Sequence, residues 1–208
     1  MTQFERMKTK QAFFIGFFGV LAAIILCFTT TSGIAKESQL IKDPKMGFQI
    51  QFPDEPVAKE KETSDYKIKS LELRHKKILY KLVLSVTNTA VPTEEIESYF
   101  SDSKKAFTTS LNAQVTSESD IKTSSLGSFQ DYTFETKDKL IMKTRLILNK
   151  EKMATLYVIR KGKSPDETEV TQFFDSFNWS EKQSSTEKTE SDASENTNAE
   201  TSTQNPIE

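Results

Sequence analysis

The chain has 208 residues, of which 36% are hydrophobic and 28% charged, and its formal net charge is -2. This length suits one folded domain, because single domains span about 100–200 residues, and it leaves little room for two. Nothing in the charge balance resembles the concentrated positive field of nucleic-acid-binding proteins, so we exclude nucleic acid as a partner.

A basic start followed by an apolar run indicates export. Arg6, Lys8 and Lys10 precede residues 12–28, in which every side chain is apolar or absent. Positive charge stays on the cytoplasmic side, so the rest of the chain is expected outside the cytoplasmic membrane. The run is longer than a signal-peptide core of about 7–15 residues and just reaches the lower limit of about 17 for a spanning helix. Its length therefore suits both a signal peptide and an anchor.

The residues after this run leave the two fates open. Gly33 and Ala35 place small side chains at the two positions that a signal peptidase reads, which predicts cleavage after Ala35. We interpret residues 1–35 as either a cleaved signal peptide or a retained N-terminal membrane anchor. Cys27 is the only cysteine and follows Leu26, where a lipid-attachment motif needs a small residue. We interpret it as one more apolar side chain, and the folded part must hold together without disulfides.

Alternation with a period of two predicts the first strands. Residues 36–45 are polar and are expected to form a linker. Phe48, Ile50 and Phe52 then alternate with glutamines, which is typical of a strand with one buried face, and Pro53 ends it.

The next stretch is less regular. Residues 54–65 are charged and contain proline, which predicts a loop or a ragged edge. The apolar residues of 66–73 change parity partway, so we expect a bulge near Ser70. Clean alternation over residues 78–86 predicts a central strand.

Two apolar stripes at helical spacing predict two amphipathic helices that pack on the sheet. The first is expected to begin at Pro92 with Thr93 as its cap, and the second at the capping box of residues 164–167. The first stripe consists of Ile96, Phe100, Phe107 and Leu111. The second stripe consists of Val170, Phe173, Phe174 and Phe177.

The remaining strands lie between and after these helix signals. Residues 113–121 predict a short strand, and Gly127 marks a turn before a strand with Tyr132 and Phe134 as its buried pair. Residues 139–162 predict a long antiparallel hairpin with a tight turn at the polar NKEK segment. Trp179 is expected to complete the domain by packing where the second helix meets the sheet.

These elements predict an α+β fold, with a mainly antiparallel β-sheet of about six to seven strands covered by two amphipathic helices. The folded domain is expected to span residues 46–179. Residues 180–208 are rich in Ser, Thr and Glu and hold Ile207 as their only large apolar side chain. Such a segment buries too little surface to offset its ordering entropy, which predicts a disordered acidic tail.

Two short motifs resemble the PsbP-like superfamily. Its domains open on an aromatic-x-aliphatic-x-aromatic-Pro strand, here within GFQIQFPDEP, and close on a helix with a Phe-x-Ser-Phe type signature, here FFDSFNW. The resemblance implies a PsbP-like α+β domain over about residues 46–179, non-catalytic and acting outside the membrane, often as an accessory of a membrane complex. The metal and subunit contacts of the photosynthetic members find no matching residues here.

The residue types needed for catalysis are scarce. His75 is the only histidine and is expected at an exposed strand end, so a site of several imidazoles or thiolates is excluded by count. The sequence contains neither a Gly-rich phosphate loop nor a Gly-x-Ser-x-Gly elbow. The acidic clusters are Asp54-Glu55, Glu94-Glu95-Glu97 and Asp166-Glu167, and each is explained by a turn or a helix start. We predict no enzyme, no catalytic, cofactor-binding or metal-binding residues, and no cofactor.

The preferred function is therefore a binding or accessory domain that acts through protein-protein contacts. It would be extracytoplasmic, either periplasmic or secreted, or anchored to the inner membrane by residues 12–28. The expected partner is an unknown envelope or extracellular protein, together with the membrane if the N-terminal segment is uncleaved. The alternative is a carrier of a small apolar ligand, with a cavity between the sheet and the helices.

Overall fold

A computed structural model describes residues 38–180. The expected signal peptide or anchor at 1–35 and all but the first residue of the expected tail at 180–208 lie outside this range. The first five strands are β1 (Gln39–Asp43), β2 (Phe48–Phe52), β3 (Val57–Glu62), β4 (Tyr66–His75) and β5 (Ile78–Thr87). A 3-10 turn (Thr93–Glu95) leads into helix α1 (Ile96–Leu111). Then follow β6 (Ala113–Glu118), β7 (Lys122–Ser124), β8 (Gly127–Thr136), β9 (Leu140–Asn149), β10 (Lys152–Lys161), helix α2 (Glu167–Asp175) and β11 (Asn178–Trp179).

The strands form two antiparallel sheets. The large sheet has eight strands in the order β3-β4-β5-β10-β9-β8-β6, with β7 paired to β8, and the small sheet has the order β1-β2-β11. The α+β class and the antiparallel pairing are thus confirmed. The expected hairpin is β9 and β10, which pair from Leu140 with Lys161 to Asn149 with Lys152. The sheet has more strands than expected because short and charged segments also pair at its edges.

Both faces of the large sheet are buried, one beneath α1 and the other beneath α2 and the small sheet. In β5, Leu79 and Val83 belong to the core on the α1 side, whereas Leu82 and Leu84 belong to the core on the α2 side. The expected bulge near Ser70 is wrong, because β4 pairs without interruption with both of its neighbours. The change of parity instead reflects a strand with apolar residues on both faces.

Each helix lies on its own face of the large sheet. Phe100 and Phe107 of α1 are buried, and the ring centroid of Phe107 lies 5.7 Å from that of Phe134. On the other side, the ring of Phe173 in α2 lies 5.1 Å from Phe52 and 5.3 Å from Tyr80. Both predicted stripes are therefore confirmed as core.

The expected linker at residues 36–45 is wrong in part. Gln39–Asp43 forms β1, whose residue Ile41 lies opposite Ile50 of β2. Apolar and polar side chains alternate weakly in β1, and Leu40 is 53% exposed, so the strand gave little periodic signal. Pairing with β2, packing of Ile41 against the core and the buried Asp43 hold this segment in place.

The helix starts differ from the expected caps. Thr93 lies in the 3-10 turn and makes no side-chain cap. For α2, the N-cap is Asp166 rather than Ser164: its carboxylate accepts hydrogen bonds from the backbone N–H groups of Thr168 and Glu169. A carboxylate at this position also interacts favourably with the helix dipole.

The predicted roles of Gly127 and Trp179 agree with the structure. Gly127 begins β8 with φ of +101°, and a Cβ there would lie 2.3 Å from the carbonyl oxygen of Leu148, so only glycine fits. Trp179 packs edge-on against Phe177, with centroids 4.9 Å apart, and donates a hydrogen bond to the carbonyl of Leu126. None of the helices within residues 38–180 is both long enough and apolar enough to span a bilayer.

Candidate functional site: the β3 edge of the large sheet

Strand β3 forms an exposed edge of the large sheet. It pairs only with β4 among the described residues, and all six of its side chains are exposed. Val57, at its start, is 65% exposed, the larger of the two values for the exposed large hydrophobic residues in the described range. Helix α1 packs instead against β6 and β8 near the opposite edge of the sheet. The β3 edge thus offers backbone and side chains to solvent.

The charges of β3 are separated by face. Its sequence alternates Lys and Glu, so the lysines project from one face and the glutamates from the other. Lys59 lies opposite Ser70 and Lys61 opposite Ile68, which belongs to the α1-side core. The lysines therefore share the α1 side of the sheet, and the glutamates share the α2 side.

On the α2 side the glutamates are paired with lysines of β4. Glu62 lies 2.7 Å from Lys67, and Glu60 lies 2.7 Å from Lys69, which also pairs with Asp43 at the end of β1. Burial opposes the charged form of Lys69, but the two carboxylates outweigh it and raise its pKa. These pairs neutralise one side of the edge and link the two sheets.

Asp43 organises the other end of this ion-pair group. Its carboxylate accepts hydrogen bonds from the backbone N–H groups of Lys45 and Met46, both at 2.9 Å, in addition to pairing with Lys69. Burial disfavours the carboxylate, yet the Lys69 ammonium and these N–H groups lower the pKa of Asp43 below its ordinary value of 3.8. Asp43 therefore stabilises the fold in its charged form.

This arrangement predicts an acid-sensitive contribution to stability. A carboxyl group with a lowered pKa contributes fully above its unfolded pKa, and the contribution is lost as the pH falls below that value. We expect Asp43→Asn to lower the free energy of unfolding by about 2 kcal/mol near neutral pH. The difference from wild type should shrink as the pH falls below about 4. Urea unfolding of both proteins across that range measures it, and a difference independent of pH would contradict the assignment.

On the α1 side of the edge positive charge is in excess. Within the described part of the chain, Lys59 and Lys61 form no ion pair, and the acid in the neighbouring strand, Glu72, pairs with Lys81 of β5 at 3.4 Å. The Lys81 side chain is only 5% exposed. Burial lowers its pKa, Glu72 opposes this shift, and the charge of Lys59 adds to it. Glu72 is thus committed to Lys81, and the two edge lysines are left facing solvent.

A row of polar side chains continues from Lys81 through the core. Lys81 lies opposite Tyr157, Tyr157 opposite Thr144, and Thr144 opposite Tyr132, all on the α1 side. Four buried hydroxyl groups on this side of the sheet find no hydrogen-bond partner of good geometry within residues 38–180: Ser85, Thr144, Thr155 and Tyr157. These groups are neutral, and Lys81, which lies opposite Tyr157, pairs with Glu72, so the row gives no reactive pair.

An unpartnered buried hydroxyl destabilises the core. Thr144 is fully buried, and valine has nearly the same shape without the polar atom. We expect Thr144→Val to raise the free energy of unfolding by about 1 kcal/mol, because it removes a desolvation cost without leaving a cavity. Thermal or urea unfolding measures the change. A loss of stability would show that the hydroxyl is satisfied in the folded protein.

The histidine and the acidic residues considered as catalytic groups do not form a common site in the structure. His75 ends β4 and is half-buried rather than fully exposed. Asp54 accepts a hydrogen bond from its neighbour's N–H in the turn before β3, and Glu167 pairs with Lys143 at 2.7 Å. No group of three or more His, Cys, Asp or Glu side chains within residues 38–180 is placed to hold a metal ion.

Sequence reasoning did not single out β3 as a candidate surface. Its sequence VAKEKE carries a strand period in the sign of charge rather than in hydrophobicity, and that alternation was the available signal. Lys81 was also missed, since one-face alternation assigns it to solvent, whereas α1 and its neighbours cover that face.

Some solved structures resemble this chain at low sequence identity. No family model matches the chain, and no curated relative matches its sequence. The structure is similar to the solution structure of cyanobacterial PsbP (CyanoP) from Synechocystis sp. PCC 6803, with a TM-score of 0.48 and 12% identity over 74% of this chain and 98% of that one. A crystal structure from Bacteroides thetaiotaomicron gives a TM-score of 0.40 and 7% identity over 70% of this chain and 50% of that one. The first of these proteins is a cyanobacterial PsbP, and the similarity is one of fold at low sequence identity.

Proposed function

We propose that this chain is a non-catalytic accessory domain that works outside the cytoplasmic membrane by contacting another envelope or extracellular protein. The basic start and the apolar run at residues 12–28 support export. The domain would be periplasmic or secreted, or tethered to the membrane through that run.

The β3 edge is the surface that we expect to contact the partner protein. Most apolar side chains of the large sheet pack within the chain, under α1 on one face and under α2 and the small sheet on the other, whereas Val57 of β3 is exposed. The edge strand, by contrast, is exposed along its whole length. Exposed sheet edges can pair with another chain, and the charges of β3 would disfavour most chains and admit one with complementary charges, so β3 is a suitable surface for a specific partner.

The carrier of a small apolar ligand gains no specific support. Its ligand would lie between the large sheet and a helix. Beneath α1, the ring of Phe107 already contacts Phe134 and Tyr157, with centroids 5.7 Å and 6.1 Å away. These ring contacts pack α1 directly onto the sheet at Phe107.

Fractionation followed by N-terminal sequencing tests the location. The proposal expects the chain in the extracytoplasmic or membrane fraction. A sequence beginning at Lys36 would show cleavage, and one beginning at Met1 in the membrane fraction would show a retained anchor. The intact chain in the cytosol would overturn the proposal.

A further inference from the structure

We infer that β3 accepts an extended segment of the partner protein as an additional antiparallel strand, and that this segment reads acid-x-acid-x-apolar. The inference rests on the proposed function and specifies the chemistry of its partner.

Half of the backbone N–H and C=O groups of β3 point toward β4 and pair with it. In an antiparallel pair, alternate residues direct their N–H and C=O groups toward the partner strand, and the others point away. Because β3 pairs with β4 on one side only within the described residues, the outward groups of its other residues remain open to an added strand. Such an addition gives affinity through main-chain hydrogen bonds, and the side chains give specificity.

The side chains of the α1 face define the pattern. Val57, Lys59 and Lys61 lie on this face at intervals of two residues. In an antiparallel strand, the residue opposite Lys61 comes first, the one opposite Lys59 two positions later, and the one opposite Val57 two positions after that. Acidic side chains at the first two positions would pair with the free lysines, and an apolar one at the third would cover Val57.

The α2 face of β3 places little constraint on the sequence of the added strand. Glu60 and Glu62 already pair with Lys69 and Lys67 of β4, so the partner's intervening residues need no charge. The specificity therefore lies in one face of the added strand.

A second copy of this chain does not fit the pattern. Residues directly opposite each other in antiparallel strands lie on the same face of the sheet. In a β3–β3 pair, Lys59 and Lys61 would face only each other or Val57, and Glu60 and Glu62 only each other or Ala58. Like charges would meet on both faces, which disfavours self-pairing and indicates a different partner.

A pair of matched peptides tests the inference with the full chain in a neutral detergent. One is a short threonine-rich peptide with glutamate at its third and fifth positions and valine at its seventh, and the other has lysine in place of glutamate. Amide hydrogen exchange reports whether the outward N–H groups of β3 become protected. We expect protection by the acidic peptide, with binding about tenfold tighter than for the basic peptide, from two cross-strand ion pairs.

Charge reversal provides the matched controls. Lys59→Glu with Lys61→Glu should invert the preference between the peptides, and both sites are exposed, so the fold should be kept. Lys105→Glu with Lys122→Glu makes the same change in net charge at exposed positions outside β3 and should keep the wild-type preference.

Three results would overturn the inference: equal binding of both peptides, protection away from β3, or protection of β3 by phosphatidylglycerol vesicles but not by the acidic peptide. The last would assign the lysines to a membrane surface. None of them would change the result of fractionation, so failure of this inference is distinguishable from failure of the proposed function.

Discussion

Replacing Phe107 with alanine is expected to lower the free energy of unfolding by about 4 kcal/mol. Its side chain is fully buried, and its ring contacts Phe134 of β8 and Tyr157 of β10, so it joins α1 to the middle of the large sheet. Alanine would remove the apolar surface and also leave a cavity, because a packed core relaxes only partly. Urea unfolding followed by circular dichroism measures the loss.

Phe107→Leu is the control for this prediction. Leucine keeps most of the volume, so we expect a loss of about 1 kcal/mol, and this variant remains measurable if the alanine variant does not fold. A loss below about 1 kcal/mol for alanine would mean that α1 contributes little to the core.

Replacing Arg145 with alanine is expected to cost about 3 kcal/mol. Arg145 lies on the α2 side of β9, where its guanidinium binds both carboxylate oxygens of Asp131, at 2.7 Å and 3.0 Å, and Asp175 of α2 at 2.8 Å. The same group stacks on the rings of Phe129 and Phe174, about 5 Å from each centroid. Burial opposes its charge, but the two aspartates outweigh this and raise its pKa.

The expected loss of stability is moderate for a buried ion pair because both aspartates remain partly exposed to solvent. The Arg145 side chain is 14% exposed, but Asp131 is 32% and Asp175 62% exposed. Arg145→Lys keeps the charge and loses the two-pronged hydrogen bond, so an intermediate loss is expected. Equal stability of the lysine variant and wild type would show that charge alone suffices there.

The burial of Phe107 is predictable from the sequence, whereas the burial of Arg145 is not. Phe107 stands in an apolar stripe at helical spacing, so its burial was predictable from periodicity. Arg145 alternates with apolar neighbours in β9, and the same rule places such a residue in solvent. Its burial depends on α2, which is distant in sequence and brings Phe174 and Asp175 onto it.

The same contrast holds for the fold as a whole. The hairpin, both helices and the antiparallel architecture follow from local patterns, because one buried face leaves a period in the sequence. Strand β1 was expected as a linker, and residues 54–65 as a loop or a ragged edge, of which the second alternative agrees with β3. Neither strand carries a clear hydrophobic period, so neither was predicted outright as a strand. The bulge at Ser70 was predicted because β4 was expected to have one buried face. The strand has apolar residues on both faces and pairs without a bulge.

The candidate site was harder to predict than the fold. An edge strand is defined by what does not pair with it, and strand order is a long-range property that local patterns do not contain. The alternation of Lys and Glu in β3 shows the two faces of a strand, but the sequence does not tell that the glutamates are satisfied by β4 while the lysines are free.

The central claim is that the domain meets its partner at the β3 edge, outside the cytoplasmic membrane. Photo-crosslinking in intact cells tests it most directly, with a photoreactive residue at Val57 and, as a control, at Lys105 on the exposed side of α1. The account predicts a crosslink from Val57 to one envelope or extracellular protein, and none to that protein from Lys105. A crosslink to a cytosolic protein, or the same partner reached from Lys105 and not from Val57, would contradict it.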